Sequence, residues 1–200
     1  MNESYCATLI RLDSWLLPGG RQEIQVVDPD LMRAITEHLK SKMNLVVSVI
    51  SHGHAMPCYK IASECKVVDF FQLEDSTFSV VLEGIQRVKV IAVQHHLGAY
   101  QVTVNPLPNW PSQPISEDSE ILAEALLEFY SANPEISGLY SHIHLEDLNW
   151  VSQRWLEVLP MYNQDKQVLL KEPDCHKAAY FMKHLIEGGL SAEGSAPSLD

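Results

Sequence analysis

Nine histidines and four cysteines are the residues of this 200-residue chain best suited to chemistry. Imidazole and thiolate hold zinc-class ions when three or four of them converge. His52-Gly53-His54 precedes Cys58 and Cys65, but neither cysteine belongs to the Cys-x-x-Cys pair that usually marks such a site. The plain reading is a solvated loop beside buried thiols. His142-Ile143-His144 with Glu146 is a weak chelate pattern, set against surface histidines on a polar loop. His95 and His96 are neighbours on a strand, so they point to opposite faces and do not chelate together. A Cys–His or Ser–His dyad would have to be assembled by the fold, since such partners meet in space rather than in sequence. No Gly-Lys dipeptide occurs, which removes the P-loop, and G-x-G-x-x-G, G-x-S-x-G and H-E-x-x-H are absent as well. The expectation is a protein without catalytic residues, without a cofactor and without a metal.

Composition narrows the partners. The net charge is −12 and 46% of residues are apolar, enough for a real core. Acidity argues against a nucleic-acid binder, which needs a basic surface to release counterions. The charge is uneven. Residues 1–110 carry 9 basic and 11 acidic side chains, whereas residues 111–200 carry 5 basic and 15 acidic. The start, Met-Asn-Glu-Ser-Tyr-Cys, has neither the basic nor the apolar part of a signal peptide. No stretch is long and apolar enough to span a membrane. Four thinly spread cysteines are not a disulfide framework and suit a reducing cytoplasm.

The elements fall into two textures. Ala7–Leu12 and Gln22–Val27 read as strands separated by the turn Leu17-Pro18-Gly19-Gly20. Asp28 suits an N-cap and Pro29 the first helical position. Leu31, Ile35 and Leu39 then form one stripe of a helix reaching about Lys42. Strands follow at 44–51, at 59–73 (one long or two short), at 77–82 and 85–93 flanking Gly84, and at 100–104. Glu74-Asp75-Ser76 is a hairpin turn. The stretch around Gly84 reads as a bent hairpin arm or one bulged strand. Four prolines (106, 108, 111 and 114) then surround Trp110, and such density makes a stiff connector. Beyond it the pattern is helical. One helix begins at Ser116–Ser119 with Ile121, Leu122, Ala125, Leu126 and Phe129 on its apolar face. Residues 133–145 are irregular, and helices follow at 147–159, at 163–170 and from Pro173 to about Glu187. Gly188-Gly189 is expected to end the last of these.

The order of these features resembles the N-terminal, substrate-binding domain of Lon protease. Leu16-Leu17-Pro18-Gly19, a strand and Asp28-Pro29 opening a helix resemble the family's start. Val81-Leu82-Glu83-Gly84-Ile85-Gln86-Arg87-Val88-Lys89-Val90 resembles its Gly-x-x-Arg strand, and Tyr100–Val104 its closing strand. The likeness extends over residues 6–187. After Asp28-Pro29 the family has Arg and Tyr where this chain has Asp30 and Leu31, a departure at the first helix. The ATPase and Ser-Lys protease domains of full-length Lon do not fit in 200 residues, so a stand-alone recognition domain is expected.

The resemblance implies an α+β fold. Residues 1–105 would form a PUA-like β pseudo-barrel with one helix, 106–116 a proline-rich connector, 117–187 a C-terminal helical bundle, and 188–200 a disordered tail. Pro18, Gly19, Asp28, Pro29, Gly84 and Arg87 are expected in structural roles, with Arg87 tying the barrel by a hydrogen bond or ion pair. The implied function is non-enzymatic binding of proteins or unfolded polypeptide segments in an apolar groove with an acidic rim, with a protease among the partners. Trp15, Leu16, Leu17 and Trp110 are the groove candidates; the first three either plug the end of the β core or form an apolar lip before the turn, and Trp110 either pins the connector to the body or meets a ligand. Two other readings stand beside it: an RNA-binding PUA-like module, and a small hydrolase or metal enzyme using the scattered histidines.

Overall fold

A computed structural model describes residues 3–41, 43–51, 58–73, 77–96 and 99–190. The His52–His54 loop, the Glu74–Ser76 turn and the tail from 191 lie outside them. The chain divides into two compact units, Met1–Asn109 and Trp110–Asp200.

The first unit is the expected β pseudo-barrel with one helix. Its elements are β1 (Tyr5–Leu12), β2 (Arg21–Val26), α1 (Pro29–Ser41), β3 (Leu45–Val49), β4 (Ile61–Gln72), β5 (Phe78–His96) and β6 (Ala99–Pro106). The sheet order is β2-β5-β4-β3-β1-β6, and β5 also pairs with β6. That extra pairing closes a ring of β5, β4, β3, β1 and β6. Strands β1 and β3 run parallel. Strand β2 stays outside the ring, paired with Phe78–Glu83 at the start of β5.

One 19-residue strand, β5, therefore serves two sets of neighbours. Its first half pairs with β2, its second half with β6 from Val88 to His96, and β4 runs beside both. Between them the β4 register shifts: Cys65 faces Gly84, while Glu64 faces Gln86. Ile85 is the extra residue. A bulge of one residue reverses which face the following side chains take. Val80 and Leu82 accordingly join a core with Ile10, Leu45, Val47 and the helix residues Ala34 and Ile35. Val88 and Val90 join a second core with Ala7, Leu9, Val46, Val102 and Val104. Strands β1 and β3 contribute alternate residues to each core, so all of β3 is buried.

The turn before β2 sits against this bulge. Leu17–Gly20 is a turn with Pro18 second and Gly19 third, at φ 74°, closed by Gly20 N–H donating to the Leu17 carbonyl at 2.8 Å. Positive φ at the third position is where glycine is favoured. Gly19 N–H donates to the Gly84 carbonyl at 2.8 Å, and Gly84 N–H to the Gly20 carbonyl at 3.0 Å. A Cβ on Gly84 would stand 2.3 Å from the Leu17 carbonyl oxygen. Glycine there is thus required by backbone approach.

Helix α1 starts as its residues dictate. The Asp28 carboxylate accepts from Asp30 N–H at 2.8 Å, and Pro29 occupies the first position. The buried stripe is Leu31, Ala34 and Ile35; Leu39 is 63% exposed and off it. His38 takes the place expected of Leu39, with its Nδ1 2.7 Å from the Met43 carbonyl oxygen.

The second unit is helical. A 3₁₀ turn (Glu117–Ser119) leads into α2 (Glu120–Ala132), followed by α3 (Pro134–Ser137), α4 (Leu148–Val158), α5 (Asn163–Leu169) and α6 (His176–Leu190). The short α3 falls where irregular chain is expected, started by Pro134 at its first position. Helix α6 begins at His176, whose N–H donates to the Asp174 carboxylate at 3.0 Å, rather than at Pro173. It also continues through Gly188-Gly189, since glycine costs a helix about 1 kcal/mol but removes no hydrogen bond. Helix α4 is buried from Trp150 to Leu156, including Gln153 and Arg154. Arg154 Nε lies 3.0 Å from a Glu157 carboxylate oxygen, with its guanidinium 5.3 Å from the Trp150 ring centre. Lys166 of α5 is 4% exposed. Burial lowers its pKa to about 8, partly opposed by the Glu157 charge.

Two predictions follow from these contacts. Gly84→Ala should destabilise the protein by about 3 kcal/mol or more in chemical denaturation, whereas Gly19→Ala should cost about 1–2 kcal/mol. For Lys166, the unfolded chain binds more protons than the folded one between its lowered and ordinary pKa values. Stability should therefore rise with pH above 8. The buried thiols Cys58, Cys65 and Cys175, all raised from 9.0 by burial, oppose this as pH approaches 9. Thermal unfolding between pH 8 and 9 should show the parent chain gaining stability with pH relative to Lys166→Met, in which the thiols' opposing effect remains and the lysine's is gone.

Candidate functional site

Trp15, Leu16 and Leu17 do not form an exposed lip. Their exposures are 5%, 3% and 1%, with the Trp15 ring 5.8 Å from that of Tyr59 and Leu16 inside the core under α1. The turn docked on Gly84 pulls the three inward. Trp110 is 3% exposed, and its indole N–H donates to the Glu172 carbonyl at 2.8 Å. In this conformation the four residues support surfaces and offer none to a partner. Arg87 is buried and hydrogen-bonds the Pro108 carbonyl through Nε at 3.2 Å and through Nη2. Burial lowers its pKa to about 10. The side-chain oxygen of Asn109 accepts from Arg87 N–H at 2.9 Å. These bonds hold the chain leaving β6 against β5.

An open cleft lies elsewhere in the first unit, with a volume of about 400 Å³. Its apolar wall includes Val27, Leu31, Ala34 and Ile50, and Asp13, Asp28 and Asp30 supply carboxylates. Arg11 and Tyr100 also line it, the guanidinium 4.1 Å from the ring centre. The end of β1 brings Asp13, and the start of α1 brings Asp28 and Asp30. The cleft has the size and mixed lining of a recognition site. Asp28-Pro29-Asp30 is legible in sequence as a helix start, but its meeting with Asp13 depends on how α1 returns over β1. Val27 is 71% exposed at this cleft, ready to meet an apolar group.

A second open feature is the far half of β4. Strand β3 pairs only with Ser63–Cys65 of β4, so Lys66–Gln72 pairs with β5 alone among the described residues. Phe70 and Phe71 on this edge are 65% and 43% exposed. Leu73 N–H donates to the Thr77 carbonyl at 2.8 Å. The antiparallel alternation then turns the backbone of Phe70 and Gln72 outward. The Asp69 carboxylate accepts from Phe70 N–H at 2.8 Å, so a charge occupies an edge donor, as edge protection requires. At the base of this arm, Glu83 lies 2.7 Å from Arg21 and 2.8 Å from Lys66. Burial opposes its charge, but the two cations outweigh burial and hold its carboxyl below the usual range.

Among the described residues, the fold assembles one of the histidine patterns. Donor atoms of His142, His144 and Glu146 lie within 4.8 Å of one another, on exposed residues. They are surface residues, as the plain reading has it, and the donor atoms of the weak chelate pattern lie close together. The thiols are spread out: Cys6 is exposed, and Cys58, Cys65 and Cys175 are buried and free. Burial raises the pKa of all three buried ones, which leaves them poor nucleophiles.

Comparison with known proteins agrees with this architecture. The family model for the ATP-dependent protease La (LON) substrate-binding domain matches residues 7–187. A Lon N-terminal domain protein from Xanthomonas campestris has a similar solved structure, with 20% identity, TM-score 0.68 and coverage of 95% of this chain and 99% of that one. The N-terminal domain of Mycobacterium avium complex Lon protease is similar at 15% identity and TM-score 0.61, covering 90% and 96%. No curated protein matches the chain.

Proposed function

The chain belongs to the Lon substrate-binding domain family, and on that footing we propose that it binds unfolded polypeptide segments without acting on them chemically. The observation that carries this reading is the cleft of the first unit, where apolar Val27 and Leu31 lie beside Asp13, Asp28 and Asp30. Its apolar wall suits an exposed hydrophobic side chain, and its carboxylates favour a lysine or arginine next to it. An unfolded segment offers both within a few residues. The two open phenylalanines on β4 lie in the same unit and add apolar surface for such a chain. Trp15, Leu16, Leu17 and Trp110 take part as buried support. A protease is a partner consistent with this role, as receiver of the bound segment. Four free cysteines, three of them buried, support a reducing, cytoplasmic setting.

Fluorescence anisotropy with a labelled, permanently unfolded model protein tests the reading. Binding should weaken as salt rises, because carboxylates contribute. Val27→Asp places a charge on the apolar wall at an exposed position and should weaken binding by about tenfold. Asp13→Asn with Asp30→Asn should weaken it by about threefold and flatten the salt dependence. Asp28 is left alone because it caps α1. Equal affinity of all variants, or no binding above a folded control, would sink the cleft as the binding site.

A further inference from the structure

We propose that His142, His144 and Glu146 form a binding site for a zinc-class divalent ion in the helical unit. The three donor atoms fall within 4.8 Å of one another. His144 Nδ1 is 3.2 Å from a Glu146 carboxylate oxygen. Bonds of roughly 2.0–2.1 Å at tetrahedral angles place neighbouring ligands about 3.3 Å apart, so this pair already stands at ligand spacing. The His142 and His144 rings meet at 4.5 Å between centres. Small rotations of exposed side chains close the remaining gap.

The backbone that carries these donors is held in place. Asp147 N–H donates to the His144 carbonyl at 3.2 Å, a turn that folds Glu146 back toward His144. Ile115 N–H donates to the Glu146 carbonyl at 3.0 Å, and Leu148 N–H to the Gln113 carbonyl at 2.7 Å. The His144 ring meets the edge of the buried Trp150 ring at 5.9 Å. Asp147 itself is committed, its Oδ1 accepting from Gln113 N–H and Asn149 N–H. That oxygen is engaged, and the carboxylate adds negative charge nearby.

Two imidazoles and one carboxylate select the ion class. Imidazole suits zinc, nickel, cobalt and copper, whereas magnesium and calcium require more oxygen donors. Three protein ligands on one exposed face leave at least one position for water or for a donor from another molecule. The unit's acidic surface raises the local concentration of any cation.

Isothermal titration of the full chain with zinc chloride, in a buffer that does not chelate, tests the site. One equivalent should bind, and magnesium chloride should give no signal. His142→Ala and His144→Ala should each weaken binding by more than about tenfold, the lower end of what losing outer partners alone costs. Glu146→Gln should weaken it less, and His95→Ala should leave it unchanged. All these positions are exposed among the described residues, and circular dichroism checks that each variant folds. Absence of zinc binding overturns the proposal. So does binding that survives both histidine variants, which would place the ion on other histidines.

Discussion

The backbone contact between the Leu17–Gly20 turn and Gly84 is the constraint on which the first unit depends. Two hydrogen bonds pass between glycines, one from Gly19 and one from Gly84. They exist only because no Cβ stands between the strands. The same contact fixes where β2 begins, because β2 leaves the turn directly and joins β5 at Arg21–Glu83. It also marks where β5 changes neighbours and faces. Removing the close approach would therefore disturb the turn, the added strand and both cores together.

Charge is arranged differently in the two units. The first keeps opposite charges close together, as in Arg21, Glu83 and Lys66 across three neighbouring strands. Cross-strand pairs of this kind are worth a few tenths of a kcal/mol to about 1 kcal/mol each. The helical unit has most of the chain's acidic excess on its surface, yet it buries Arg154 and Lys166. Glu157 serves both, as the ion-pair partner of Arg154 and as the charge that partly sustains Lys166. Buried charges contribute little net stability, but removing one partner strands the other. Glu157 thus links α4 and α5 more strongly than any one of its contacts suggests.

Much of this fold is legible in the sequence because its signals are local. Pro18-Gly19 encodes a turn, Asp28-Pro29 a helix start, and an isolated Gly84 in an apolar run a bulge. The strands of the first unit follow from β-rich runs between such markers. What escapes a reading of the chain depends on contacts far apart in sequence. Whether Trp15, Leu16 and Leu17 plug the core or form a lip is decided only by the docking of the turn on β5, which buries them. Leu39 fits the helical period but is exposed, because the core it would meet ends one turn earlier at Ile35. The cleft needs Asp13 and Asp30 brought together by separate elements. The pairing of His144 with Glu146 needs a turn that the spacing alone does not specify. The last helix crosses two glycines because propensity weakens a helix without forbidding it.

The double service of β5 makes the number of its residues as binding as their kinds. Apolar residues within each core are interchangeable if volume is kept, and relatives at 15% and 20% identity retain the architecture. Length has no such latitude. Deleting one residue within Val80–Leu82 or Val88–Val90 would turn part of a core row to solvent, whereas loss of Ile85 would remove the bulge and leave both halves in register with β4. Divergence within each core row must therefore proceed by exchange of side chains.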